Sequence, residues 1–154
     1  MIQIKPWQDL SQEEVYDLLR LRIAVFVVEQ NCPYQDADNK DKSSLHVMMR
    51  NEEGHLVGCA RLVQPGISYA EWSIGRVAIH PFARNQGKGQ EIMNACLAHL
   101  KRQTTSQPVR ISAQFYLLRF YTNLGFVQVS DIYLEDNIPH IEMLLTDYQA
   151  IKAE

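Results

Sequence analysis

Ile74-Gly75-Arg76-Val77-Ala78-Ile79-His80-Pro81, then Arg84-Asn85-Gln86-Gly87-Lys88-Gly89-Gln90, then Ile92, Met93, Cys96, Leu97 and Leu100 form a strand, a loop and an amphipathic helix in succession. The apolar run stops at His80-Pro81, and the later apolar residues recur at helical spacing. Glycines where the helix begins keep side chains away from its free amide groups, and the helix dipole favours an anion at that end. The stretch reads as a phosphate-binding loop.

Around this unit, Ile2 and Ile4 mark a short first strand, and Ser11-Gln12-Glu13-Glu14 is a capping-box pattern opening a helix that carries Val15, Leu18, Leu19, Ile23 and Phe26 inward. Asn31 to Ser44, with Pro33, Asp36, Asp38, Asn39 and Asp41, is expected to be a loop with one helical turn. His46 to Arg50 and Leu56 to Val63 flank Asn51-Glu52-Glu53-Gly54 as a hairpin. After the helix from about Gly87 to Arg102, Pro108 opens a strand through Ala113, and Leu117 to Leu124 reads as a helix stopped by Gly125. Phe126 to Val129 and His140 to Leu145 are expected to pair antiparallel.

A strand, crossover helix and strand over residues 74 to 113 requires a parallel pair within an otherwise antiparallel sheet. The expected fold is mixed α/β. The 154 residues suit one domain spanning 1–154, and neither a repeat nor a linker divides them.

Composition excludes several classes. Apolar residues at 46% and charged residues at 21% describe a globular chain, and a net charge of -3 offers no general attraction to nucleic acid or an anionic membrane. Cys32, Cys59 and Cys96 are odd in number and widely spaced, which argues against a disulfide framework or a zinc site. No metal is expected. The N-terminus lacks a signal-peptide pattern and no apolar run reaches membrane-spanning length, so the expected location is cytoplasmic, as a monomer or homodimer.

The nucleoside-triphosphate loop requires Ser or Thr where Gly89 stands and Gly where Phe82 stands, and the dinucleotide fingerprint requires Gly at Ile92. What remains, Arg84-x-x-Gly87-x-Gly89, resembles the Arg/Gln-x-x-Gly-x-Gly/Ala signature of the GNAT superfamily of N-acetyltransferases. Val77-Ala78-Ile79-His80-Pro81 is similar to that family's fourth strand, and Phe120-Tyr121-x-x-x-Gly125-Phe126 to its C-terminal helix and turn. Arg22-x-x-Val25-Phe26, Glu29-Gln30-x-Cys32-Pro33-Tyr34, Asp38-x-x-Asp41 and Glu135-Asp136-Asn137-Ile138-Pro139-His140 narrow the likeness to the ElaA-like branch. The first of these blocks, with the aspartates, also echoes acyl-homoserine-lactone synthases.

The resemblance implies a sheet that splays after its fourth strand, with acetyl-CoA as acyl-donor cosubstrate and a small-molecule amine as acceptor. Arg84 and the amides of Asn85, Gln86, Gly87, Lys88, Gly89 and Gln90 would hold the pyrophosphate, a backbone amide among Val77, Ala78 and Ile79 the thioester carbonyl, and Gln114 the pantetheine arm. Tyr121 matches the family's general acid at the CoA sulfur, against the alternative of a tyrosine packed beside Phe120 and Leu124. Glu71, before the fourth strand, and His140 are the candidate bases, with Glu29, His46 and Asp136 open. The resemblance also lets Arg22 and the aspartates form an electrostatic cluster holding the acceptor-side loop over the sheet, and Asp36, Asp38, Asp41, Glu135 or Asp136, where they face the slot, would favour a cationic amine. Longer acyl transfer and acetyl-CoA sensing without turnover stand as alternatives.

Overall fold

The computed structural model describes residues 1–103 and 107–148. Its centre is an eight-stranded sheet: β1 (Ile2–Pro6), β2 (Ser44–Arg50), β3 (Leu56–Val63), β4 (Trp72–Ile79), β5 (Val109–Gln114), β6 (Val127–Gln128), β7 (Tyr133–Glu135) and β8 (Ile138–Leu145). The order is β1-β2-β3-β4-β5-β8-β6, with β7 also on β8. Only β4 and β5 run parallel, as the crossover helix α2 (Lys88–Gln103) requires. α1 (Gln12–Arg22) and α3 (Leu118–Asn123) complete the set.

Helices cover both faces, so the central strands are apolar on both sides. Along β2 and β3, Val47, Met49, Ala60 and Leu62 face α2 and its Ile92, Met93, Cys96, Leu97 and Leu100. Met48 and Cys59, one residue out of phase, meet Leu18, Leu21 and Val25 on the other face. Each such fully buried aliphatic side chain contributes roughly 1.5–3 kcal/mol.

α1 opens on the expected capping box: the Glu14 amide donates to Ser11 Oγ at 3.1 Å and the Ser11 amide to Glu14 Oε2 at 2.9 Å. Its inward stripe is rotated from the expected one. Leu18, Leu21, Arg22 and Val25 are buried, while Ile23 is 45% exposed. Arg22 turns inward because Asp36 and Asp41 neutralise it, and beyond it the chain widens into a π-helical segment, Ile23–Glu29, that resets the phase. The polar stretch after it carries one helical turn, Lys40–Ser43, as expected.

β4 is where the sheet opens. It pairs with β5 only at Trp72↔Val109 and Ser73↔Arg110, so residues 74–79 have no partner on that side. On the β3 side, Cys59 faces Ala78 and Arg61 faces Gly75, which leaves Arg76 and Val77 opposite Ala60 alone. This is a β-bulge, and Arg76 takes a left-handed φ of 52° to make it.

Candidate active site

The opening between β4 and β5 is the floor of a cleft of about 850 Å³. One end is the start of α2. Gly87 adopts φ 74°, a conformation natural to glycine, and the first helical hydrogen bond there is Glu91 N–H to Gly87 O at 3.0 Å. The amides of Lys88, Gly89 and Gln90 are therefore left without helical acceptors, beside the positive end of the dipole. A Cβ built on Gly89 would meet the Phe120 ring at 3.6 Å, an ordinary contact. Protein packing therefore does not demand glycine at 89.

Arg84 reaches this end by a defined route. Its Nε donates to Ile79 O at 3.0 Å, and Nη1 and Nη2 donate to Glu29 Oε1 and Oε2 at 2.6 and 2.7 Å. Bonding to Arg84 holds the Glu29 carboxyl below its usual range. Of the other loop residues, Asn85, Gly87, Lys88 and Gly89 line the cleft. Gln86 and Gln90 turn their side chains to Phe82 O and Asn94 Oδ1, each at 3.2 Å, which leaves only their backbone amides for an anion.

Val77, Ala78 and Ile79 form the middle of the floor, and Gln114 lies across the opening, where its Nε2 donates to Gln30 Oε1 at 3.1 Å. Gln114 thus ties β5 to the end of the π-helical segment. Tyr121 projects from α3 into the same space. It is 8% exposed, burial pushes its phenol up to about 12, and its hydroxyl has no hydrogen-bond partner among the described residues. It is a proton donor at neutral pH.

The base candidates separate cleanly. Glu71 is not among the residues lining the cleft, and Arg110 donates to both its oxygens at 2.9 and 3.2 Å. His46 is buried and not among the residues lining the cleft, with Nε2 at 2.9 Å from Asp41 O. Glu29 is taken by Arg84. Asp136 lines the cleft, with its carbonyl 3.9 Å from Cys32 Sγ. His140 lines it too, and its Nδ1 sits 2.7 Å from Ile138 O. A carbonyl only accepts, so Nδ1 is the donor, and Nε2 faces Glu135 Oε2 at 3.9 Å.

Beside His140 the sequence points to Glu135 but not to Ser112 or Tyr133. The histidine's cross-strand partner is Tyr133, whose hydroxyl is 2.6 Å from Ser112 Oγ; Ser112 in turn donates to Glu135 Oε2 at 2.9 Å. The signal was present, because Asp136 and Asn137, at φ 50° and 62°, form a two-residue hairpin turn that sets β7 against β8.

A cluster of three arginines and three aspartates adjoins the floor, and its Asp38, Arg61 and Arg76 line the cleft. Arg22 binds Asp36 at 2.8 Å and Asp41 at 2.7 Å, Arg61 binds Asp38 at 2.6 Å and Asp41 at 2.9 Å, and Arg76 binds Asp36 at 2.8 Å. Burial disfavours the Asp38 anion, yet Arg61 and then Arg76 hold its carboxyl at about 2. The cluster pins the loop before β2 against the bulge in β4.

Residues 7–146 match the family model described as an acetyltransferase (GNAT) domain. The chain belongs to the GNAT acetyltransferase family. ElaA of Escherichia coli is 40% identical over 152 residues, covering 94% of this chain and 98% of that one. A UPF0039 protein of Synechocystis is 42% identical over 141 residues, 90% and 92% of the two chains. An acyl-CoA N-acyltransferase from Pseudomonas aeruginosa superposes with a TM-score of 0.89 at 41% identity, over 94% of this chain and 98% of that one.

Membership makes the protein an acyltransferase of the ElaA-like branch, and the GNAT fold is an acyl-CoA-binding one. The features that suit such a donor are this chain's own. An open amide end, a glycine the packing does not require and an unpaired strand edge lie in one cleft.

Proposed function

We propose that the protein transfers acetyl from acetyl-CoA directly to the primary amine of a small acceptor. What supports this most is the continuity of one cleft from the free amides of α2, along the unpaired edge of β4, to the Tyr121 hydroxyl. The spare amides of residues 88–90 and Lys88 would take the pyrophosphate, with Arg84 turning from Glu29 to join them. An amide of Val77 to Ile79 would polarise the thioester carbonyl and carry the oxyanion.

The neutral amine attacks the carbonyl carbon, the C–N bond forms and the C–S bond breaks. Tyr121 gives its proton to the departing sulfur, and the remaining excess proton on nitrogen returns to the tyrosine oxygen. Cys59 and Cys96 are buried and Cys32 sits at the cleft wall, so an acyl-cysteine route would run through Cys32. Cys32→Ser is expected to keep turnover.

Val25, Phe26, Val63 and Ile74 give the cleft an apolar wall, which favours as second reading a longer acyl donor. CoA release with acetyl-CoA, butyryl-CoA and octanoyl-CoA against an amine panel decides between them. Acetyl-CoA is expected to give the highest kcat/KM and sequential kinetics. Faster use of octanoyl-CoA would replace the acetyl reading, and binding of acetyl-CoA without release for any amine would make the protein a sensor.

A further inference from the structure

The acceptor end of the cleft has a definite chemical sign. Every arginine lining the cleft as a whole is already ion-paired, Arg61 and Arg76 with the aspartates and Arg84, at the α2 end, with Glu29, and Lys88 at that same end is held by Glu91 at 2.9 Å. Lys40 turns to Ser68 Oγ at 3.0 Å. Glu135, by contrast, has no arginine or lysine partner among the described residues; its Oε2 accepts from Ser112 and lies 3.9 Å from His140 Nε2.

Around Glu135 the field disfavours anions. The Tyr69 phenol, which lines the same end, is pushed up to about 12 by burial and by the neighbouring Tyr133, Glu142 and Glu135. The Tyr133 phenol is also raised, by burial foremost and by Glu135 and Glu142, against its bond to Ser112. Arg110 does not cancel this, because it is divided between Glu71 and Glu142 at 2.9 Å each. Burial opposes a charge of either sign, but the part of both shifts that comes from the Glu135 and Glu142 carboxylates favours an ammonium.

We infer that Glu135, Tyr69 and His140 form the acceptor subsite, and that it takes an aliphatic primary amine, cationic in water, with no carboxylate next to its nitrogen. This rests on the acyltransferase reading above and names its substrate class. Glu135 holds the ammonium, the Tyr69 ring walls it, and Ser112 with Tyr133 keeps the carboxylate aimed. His140 Nε2, its tautomer set by the bond to Ile138 O, takes one ammonium proton and passes it to solvent. The nitrogen lone pair that this exposes is the nucleophile.

The test is steady-state CoA release from acetyl-CoA with four acceptors: butylamine, 1,4-diaminobutane, glycine and 4-aminobutanoate. The two amines without carboxylates are expected to exceed glycine at least tenfold in kcat/KM. Glu135→Gln, at a side chain 53% exposed and so of little weight in folding, should raise the amine KM at least tenfold and leave the acetyl-CoA KM within twofold. His140→Asn, which keeps a donor for Ile138 O, should lower kcat about 100-fold with the amine KM nearly unchanged. Preference for glycine, or an unchanged amine KM in Glu135→Gln, overturns the subsite and leaves the acyltransferase intact. Full kcat in His140→Asn overturns the base. No CoA release by the parent enzyme with any acceptor overturns both readings together.

Discussion

Arg76 and Asp36 hold the active-site strand in a conformation it would not otherwise keep. Arg76 sits at φ 52° within β4, and its Nε donates to Asp36 Oδ1 at 2.8 Å while Nη2 donates to Asp36 O at 3.1 Å. A left-handed backbone costs a residue with a Cβ about 1–2 kcal/mol, and the ion pair offsets that cost. The bulge, and with it the free edge of residues 77–79, is tied to a loop 40 residues earlier in the chain.

Substitution separates the two contributions. Arg76→Ala loses the ion pair and keeps the backbone penalty, whereas Arg76→Gly loses only the ion pair. Both are expected to melt below the parent, with Arg76→Gly more stable than Arg76→Ala by about 1 kcal/mol. Urea unfolding of the three proteins checks this. Equal stability of the two variants would mean that the bulge relaxes once the guanidinium is gone.

Gly89 offers a test in which stability and binding move in opposite directions. Because an added Cβ meets only the Phe120 ring at 3.6 Å, Gly89→Ala should fold at least as well as the parent and gain up to about 1 kcal/mol of helix propensity. The same methyl narrows the approach to the free amides, and acetyl-CoA affinity should fall at least tenfold. Gly89→Asp adds a negative charge at the anion-binding end and should weaken binding further. Calorimetry beside a melting curve on each variant reads both effects, and unchanged affinity would remove the phosphate role of the loop.

Local signals in the chain were enough for the strand, glycine loop and helix, for the capping box at Ser11 and Glu14, and for the hairpin around Gly54. Each is decided by residues close in sequence. What escaped depended on distance. Arg22 could be joined to the aspartates only through the family resemblance: its own hydropathy is that of a surface residue, yet it is 2% exposed, because the compensating aspartates lie 14 and 19 positions away. Nothing local in Ile74-Gly75-Arg76-Val77 announces a left-handed arginine. Nor does the sequence show that Glu71, before β4, is bound by Arg110, 39 residues on.

Acid stability should follow the arginine–aspartate cluster. Asp38 is held at about 2, below its ordinary 3.8, and Asp41 is lowered as well, Arg22 and Arg61 outweighing its burial. Groups depressed in the folded state contribute stability that is complete above their unfolded pKa and is lost as pH falls through the folded one. For Asp38 that window runs from about 4 down to about 2, and its share is about 2 kcal/mol. His46, lowered by burial, acts in the same direction, since it must charge on unfolding below its ordinary 6.5. Thermal melts from pH 7 to pH 3 should therefore show a steady decline, and Asp38→Asn should flatten its lowest part. A variant curve parallel to the parent's would show that Asp38 is not a source of the acid sensitivity.

Tyr121→Phe isolates one hydroxyl in the cleft. The phenol is buried beside Phe120 and Phe126 at ring separations of 5.0 and 6.0 Å, so the phenylalanine keeps the packing. The hydroxyl has no hydrogen-bond partner among the described residues, and its removal is expected to leave the melting temperature unchanged or slightly raised. If it protonates the leaving sulfur, kcat should fall on the order of 10²-fold with acetyl-CoA affinity nearly constant. Because burial pushes its pKa up to about 12, the phenol stays protonated across the working range, and the loss should be the same from pH 6 to pH 9. Turnover at saturating acetyl-CoA and a melting curve on the same preparation are the decisive pair: full activity at parental stability assigns Tyr121 to packing alone.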